Sequence, residues 1–151
     1  MKTKAIVTIP PYADYIDHII KHPIVSGIRL NTVMPTKGKL EDLLKKLSDI
    51  SREKDLWIDL KGRQLRTKGY WVPPFTEVEL THSIKADTPA TAIFSDGKEY
   101  ATILEIDGNR LIMQDGPRRV VGPGESLNIK AKNLTIEGYF TETDMRYIEA
   151  G

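Results

Sequence analysis

Several groups of polar residues have types and spacing that could do chemistry. Asp14, His18 and His22 recur every four residues, so a continuous helix would carry two imidazoles and a carboxylate on one face, part of a zinc donor set. The spacing supplies no fourth ligand, and a solvated face is the better reading. Pro35-Thr36-Lys37-Gly38-Lys39 resembles a phosphate loop but lacks the leading glycine and the spacing of a Walker A motif. It reads as a loop before a helix. Arg29 and Asp59 stand near the ends of two predicted strands. A guanidinium there suits phosphate oxygens and a carboxylate suits a cation, against the plainer readings of an ion pair and a loop cap. Arg118-Arg119 beside Asp115 form a small basic cluster, read first as an exposed turn and second as a phosphate contact. Asn133-Leu134-Thr135 fits the glycosylation pattern, but no secretory signal accompanies it. No nucleophile elbow is present, so Ser-His-Asp catalysis has no local support.

The elements that must position these residues fall into two kinds. Ala5–Ile9 is a short β-branched run stopped by Pro10-Pro11, as expected of a strand buried on both faces of a parallel sheet. Tyr12, Ile16, Ile19 and Ile20 then follow helical spacing up to Pro23. Ile24–Asn31 reads as a second strand. Leu40, Leu43, Leu44, Leu47 and Ile50 form the stripe of a stronger helix, and Leu56–Leu60 reads as a third strand. Strand, helix, strand, helix, strand is the repeat of α/β folds. After Thr67 the period changes to short β-rich runs. They are separated by turn pairs such as Asp96-Gly97, Asp107-Gly108 and Asp115-Gly116, of which the first two are the best hairpin signals. This predicts a small antiparallel barrel or sandwich over about residues 69–130, between a first segment 1–68 and a return at 131–151. From Thr141 the sequence turns helical again, with Thr141 and Asp144 spaced as a capping box. Trp57 and Trp71 read as core and hinge packing.

Composition bounds the partners. With 22 Lys+Arg against 21 Asp+Glu, the net charge of +1 provides no field to hold a polyanion, so neither nucleic acid nor an anionic membrane is indicated. The absence of cysteine excludes a disulfide scaffold and a cysteine zinc site. The apolar run after the basic start Met1-Lys2-Thr3-Lys4 is too short for a signal peptide, and no uncharged apolar segment is long enough to span a bilayer. A cytoplasmic location is the default expectation.

Six segments, in order, resemble the N-terminal portion of pyruvate kinase. Residues 3–11, TKAIVTIPP, are similar to the family's opening TKIVCTIGP, and Ile28-Arg29-Leu30-Asn31 is similar to its ARLN. Residues 59–67, DLKGRQLRT, resemble DTKGPEIRT. Gln114-Asp115-Gly116 resembles DDG at a lid turn, residues 130–134 resemble KGVNL, and residues 140–144 resemble LTEKD. The resemblance implies an α/β fold: the first three β/α units of a (β/α)8 barrel with an inserted small antiparallel β-barrel lid. It also implies phosphoryl transfer between phosphoenolpyruvate and ADP in the complete form, with Mg2+ and K+ as cofactors. Residue by residue, it makes Arg29, Lys61 and Arg66 the matches for phosphate and nucleotide contacts. Asn31 and Asp59 match two oxygen ligands of the monovalent cation, and Asp115 the lid aspartate.

The departures carry weight as well. ARLN continues as FSH in the family but as Thr32-Val33-Met34 here, so Val33 lacks a hydroxyl ligand and Met34 replaces a histidine near the nucleotide. Gln64 replaces a glutamate linked to cation dependence, and Leu60 replaces a threonine. These changes count against the K+ site. The family's catalytic lysine and its carboxylates for the divalent metal come from later barrel strands that these 151 residues do not contain, so no catalytic set is complete and no turnover is expected of this chain alone. Three parallel strands also leave two unpaired edges. A C-terminal half on the same polypeptide, a separate chain or self-association would cover them. The helical ending at Tyr147–Gly151 favours the first. The contrasting expectation is a non-catalytic, pyruvate kinase-derived module that binds a ligand or a protein partner.

Overall fold

The computed structural model describes residues 3–51 and 53–151; the basic start at Met1 and Lys2 lies outside them. The chain divides into two compact units, residues 1–61 with 142–151, and residues 62–141.

In the first unit, β1 (Ala5–Ile9), β2 (Val25–Asn31) and β3 (Asp55–Asp59) form a parallel sheet in the order β1-β2-β3. The connections are α1 (Ile16–Ile20) and α2 (Leu40–Ser51), and α3 (Glu142–Ala150) completes the unit. Alternation along each strand sends Ile9, Ile28 and Leu30 into a core with Leu40, Leu43, Leu44, Leu47 and Tyr147. The predicted stripe of α2 is therefore its buried face. Glu41 and Asp42 occupy its first turn, where negative charge complements the helix dipole. The Lys54 ammonium donates to the carbonyls of Ile20 and His22, closing the end of α1.

Only one face of this sheet is covered. β1 was expected to be buried on both faces, yet Ile6 is exposed and Thr8 beside it likewise. Trp57, expected in the core, is 52% exposed. The physical reason is the same for both: helices pack against the Ile9–Ile28–Leu30 face alone. Helix α1 spans only Ile16–Ile20, so Asp14 and His22 flank it, and no i, i+4, i+8 face forms. The His22 ring instead accepts the Ile24 N–H at 3.3 Å.

The second unit is antiparallel throughout. β4 (Glu77–Glu79), β6 (Ala90–Phe94), β7 (Glu99–Asp107), β8 (Arg110–Met113) and β9 (Leu127–Lys130) form a sheet ordered β4-β8-β7-β6-β9, and β5 (Ile84–Lys85) pairs with β10 (Thr135–Ile136). Among the described residues these strands do not close into a complete ring. The unit is wider than residues 69–130. Leu65 is buried in its core, Arg66 bridges to Ser126 and Thr67 to Leu80, and β10 draws residues 135–136 into it. Gly108-Asn109 turn between the paired Asp107 and Arg110, and a short 3-10 turn at Ser95–Gly97 joins β6 to β7. Asp115-Gly116 makes no hairpin: the Gly116 N–H donates to the Phe75 carbonyl at 3.0 Å, and a Cβ on Gly116 would lie 2.5 Å from that oxygen. The close approach is what requires glycine there. Arg119, expected in an exposed turn, is instead held between Glu99 and Glu125 and bonds Ser95; these contacts raise its pKa, with the Glu125 hydrogen bond the largest cause. No helix among the described residues is long and apolar enough to cross a membrane.

Candidate functional site

The uncovered face of the parallel sheet carries the polar residues of the strand ends. Thr8 on β1 pairs in register with Arg29 on β2, Arg29 with Trp57 on β3, and Asn31 with Asp59. Because partners in register point to the same side, these side chains share the face that alternation keeps away from the helices. Arg29 spans it. Its guanidinium donates to the Thr8 hydroxyl at 2.9 Å and forms an ion pair with the Asp59 carboxylate. Both charged side chains are more than a third exposed, so the pair adds at most about 1 kcal/mol of stability. It does fix the direction of the guanidinium. Trp57 lies alongside: a Cβ on Gly27 would sit 3.0 Å from the indole nitrogen and 2.9 Å from the Asp55 carbonyl. Glycine at 27 is what lets the indole lie across β2.

Of the residues singled out in the sequence, Arg29, Asn31 and Asp59 are thus brought together on one sheet, and Lys61 follows just beyond β3. The Lys61 N–H donates to the fully buried Asp144 carboxylate at 2.7 Å, tying the end of β3 to α3. The Thr32 N–H and hydroxyl both donate to the Asp59 carbonyl, at 3.2 and 2.9 Å, so the loop after β2 is anchored to β3. Arg66 and Asp115 belong to the second unit. Arg66 donates to the Gly124 carbonyl at 2.8 Å and to the Gln64 amide oxygen at 2.6 Å, leaving a buried Nε without a partner. Asp115 is exposed in the turn after β8.

The donor set does not suit a monovalent cation. Asp59 is neutralised by Arg29, the Asn31 side-chain oxygen accepts the Val33 N–H at 3.0 Å, and Val33 and Leu60 bring no side-chain oxygen. Two partly committed oxygens fall short of the six or more that such hard cations gather. Nor does any group of three His, Asp or Glu residues suited to a metal occur among the described residues.

A second concavity, of about 260 Å³, opens between the loop after β2 and α3. It was not foreseen, although Thr143, Arg146 and Tyr147 recur at the i, i+3, i+4 spacing that puts them on one helix face. Met34, which stands where the resemblance expected a histidine, lies in its wall with Lys61. Burial holds the Tyr147 hydroxyl pKa above its usual value, opposed in part by the nearby Arg146.

No family model matches the sequence, and no curated protein matches it. Solved structures do. A crystal structure of Cryptosporidium parvum pyruvate kinase superposes with a TM-score of 0.61 at 17% identity, over 93% of this chain and 34% of that one. The fold is that of part of a pyruvate kinase. The same organism's pyruvate kinase in complex with ADP gives a TM-score of 0.57 at 19% identity, over 91% of this chain and 33% of the other. The chain thus spans about a third of the length of the pyruvate kinases it matches. At this identity the likeness defines the fold, and the residues must argue the chemistry.

Proposed function

We propose that these residues form the N-terminal portion of a pyruvate kinase-like phosphotransferase, and that its first unit is the beginning of a (β/α)8 barrel. In the complete form the reaction is phosphoryl transfer from phosphoenolpyruvate to ADP. The observation that carries this is Arg29. It sits toward the carboxyl end of β2 on the uncovered face of a pyruvate kinase-like sheet, inside the segment that resembles ARLN. In a β/α barrel that end is where ligands bind, and a guanidinium offers a phosphate paired donors. Lys61 would add positive charge in the first unit, and Arg66 and Asp115 would belong to the lid-like second unit. ADP in the Cryptosporidium parvum complex supports a nucleotide as one ligand. Arg29 must exchange Asp59 for the phosphate on binding, so Asp59 serves to hold the guanidinium until the ligand arrives. Mg2+ and K+ dependence would rest on residues outside this chain. The chain alone turns nothing over, because phosphoryl transfer needs positioned metal and basic groups that it lacks.

The unsuitable cation donors favour a second reading, a binding module descended from such an enzyme. One titration separates the two. Under the enzyme reading ADP or phosphoenolpyruvate perturbs the Thr8, Arg29 and Trp57 signals, and Arg29→Ala weakens binding about tenfold, the scale of a lost charge-assisted hydrogen bond. Under the second, Arg29→Ala changes nothing. A lactate-coupled assay with Mg2+ and K+ showing turnover by the chain alone would overturn the requirement for further strands.

A further inference from the structure

We infer that Trp57 is a specificity-determining residue of the open sheet face, which selects phosphate esters with a planar, apolar body over equally charged hydroxylated ones. This role rests on the reading that Arg29 holds a phosphate, and it concerns the part of the ligand that the phosphate carries.

Side chains paired in register form rows on the uncovered face. Ile6 on β1 pairs with Gly27 on β2, and Gly27 with Asp55 on β3. One row nearer the carboxyl ends, Thr8 pairs with Arg29 and Arg29 with Trp57. The indole does not stay in its own row. A Cβ on Gly27 would meet the indole nitrogen at 3.0 Å, so the ring leans back across β2 into the Gly27 row, where Ile6 is the next side chain on β1. Ile6 and Trp57 are 51% and 52% exposed. The face therefore has two tiers. Ile6 and the indole make an apolar floor, and above it the Arg29 guanidinium is held by the Thr8 hydroxyl and the Asp59 carboxylate. Large apolar side chains left half in water beside a directed cation are the informative kind of exposure.

A phosphate taken by Arg29 sets the body of its ligand against this floor. A planar, apolar body covers the ring and releases its water, whereas a hydroxylated body must give up hydration to a surface that offers little in return. Asp55 and Asp59 stand two residues to either side of Trp57 on the same face, so the floor suits the uncharged part of a ligand. The enol carbons of phosphoenolpyruvate are such a part.

The test compares two phosphate monoesters of the same charge, phenyl phosphate and glycerol 1-phosphate. Each is titrated into the chain and followed by amide and indole N–H shifts, the Trp57 indole signal being identified by its loss in Trp57→Phe. Phenyl phosphate should bind the wild-type chain about three- to tenfold more tightly, the scale of one aromatic contact, and should move that signal. Trp57→Ala should bring the ratio of the two affinities close to one, and Trp57→Phe, which restores a smaller ring, should keep part of it. Arg29→Ala should weaken both esters about tenfold. An unchanged ratio in Trp57→Ala, with both esters still weakened by Arg29→Ala, would overturn the role of Trp57 and leave the kinase reading standing. Phenyl phosphate bound equally well by wild type and Arg29→Ala would overturn both. A Trp57 signal that moves with chain concentration and with neither ester would overturn the role in favour of a second copy on the open face.

Discussion

The two units bury their apolar residues in different ways. In the second, Phe94, Val78, Leu80, Ile103, Leu111 and Leu127 pack from strands that fold back on one another, and the core is closed by the unit's own residues. In the first, the sheet is covered by helices on one face, while the other presents Ile6, Trp57 and the Arg29–Asp59 pair. A short antiparallel sheet can satisfy itself because hairpins return the chain at once. A parallel sheet needs a crossover for every strand, so three strands are too few to close. One unit closes its core with its own residues, and the other leaves the Arg29–Asp59 pair and Trp57 on an open face.

The sharpest way to break this comparison is to remove a large side chain from the finished core. Phe94 is fully buried on β6, so Phe94→Ala should cost about 3–5 kcal/mol. Trp57→Ala removes a larger side chain from the open face, yet should cost less, about 1–2 kcal/mol, because its indole is already half in water and lies over Gly27. Denaturant melts of both variants check the pair. Equal losses would mean that the open face is already covered in solution, by another copy of the chain.

What the sequence made legible follows from which forces act locally. The α2 stripe and the strand runs were readable because alternation and 3.6-residue spacing are properties of neighbours in sequence. Burial of the sheet was misjudged because it depends on what lies opposite. Ala5–Ile9 and Trp57 carry the composition of a doubly covered strand whether or not a second cover exists. The boundary at residue 69 was late for a similar reason: the bridges of Arg66 to Ser126 and Thr67 to Leu80 are contacts across more than ten residues, invisible to a local window. At the candidate site, the ARLN resemblance singles out Arg29 and Asn31 and the DTKGPEIRT resemblance Asp59, but neither segment contains the Arg29–Asp59 pairing, a contact across thirty residues. The concavity beside α3 is invisible to local spacing because it joins a loop to a helix a hundred residues later.

A smaller effect sharpens the account of the open face. Gly27→Ala places a Cβ 2.9 Å from the Asp55 carbonyl and 3.0 Å from the Trp57 indole nitrogen. The indole can swing away, but the carbonyl belongs to the adjacent strand and cannot. A loss of about 1–3 kcal/mol is therefore expected. In a Trp57→Ala background part of the loss should remain, since the backbone contact remains. Full rescue would show that the indole alone dictates glycine at this position.

The smallest effect concerns Tyr147, where packing and polarity oppose each other. Tyr147→Phe keeps the ring in the core and removes a buried hydroxyl that has no partner, so stability at neutral pH should be unchanged or slightly raised. At high pH the wild-type chain behaves differently. Burial raises the folded-state pKa above the unfolded value of about 10, so between the two pKa values the unfolded chain has lost a proton that the folded one keeps. This contribution is fully present below pH about 10 and is lost as pH rises through the folded pKa. Lysines also titrate in that range, so the informative quantity is the difference between wild type and Tyr147→Phe. The variant should lose less stability on going from neutral to alkaline pH. Parallel stability profiles would mean that the hydroxyl reaches solvent or a partner.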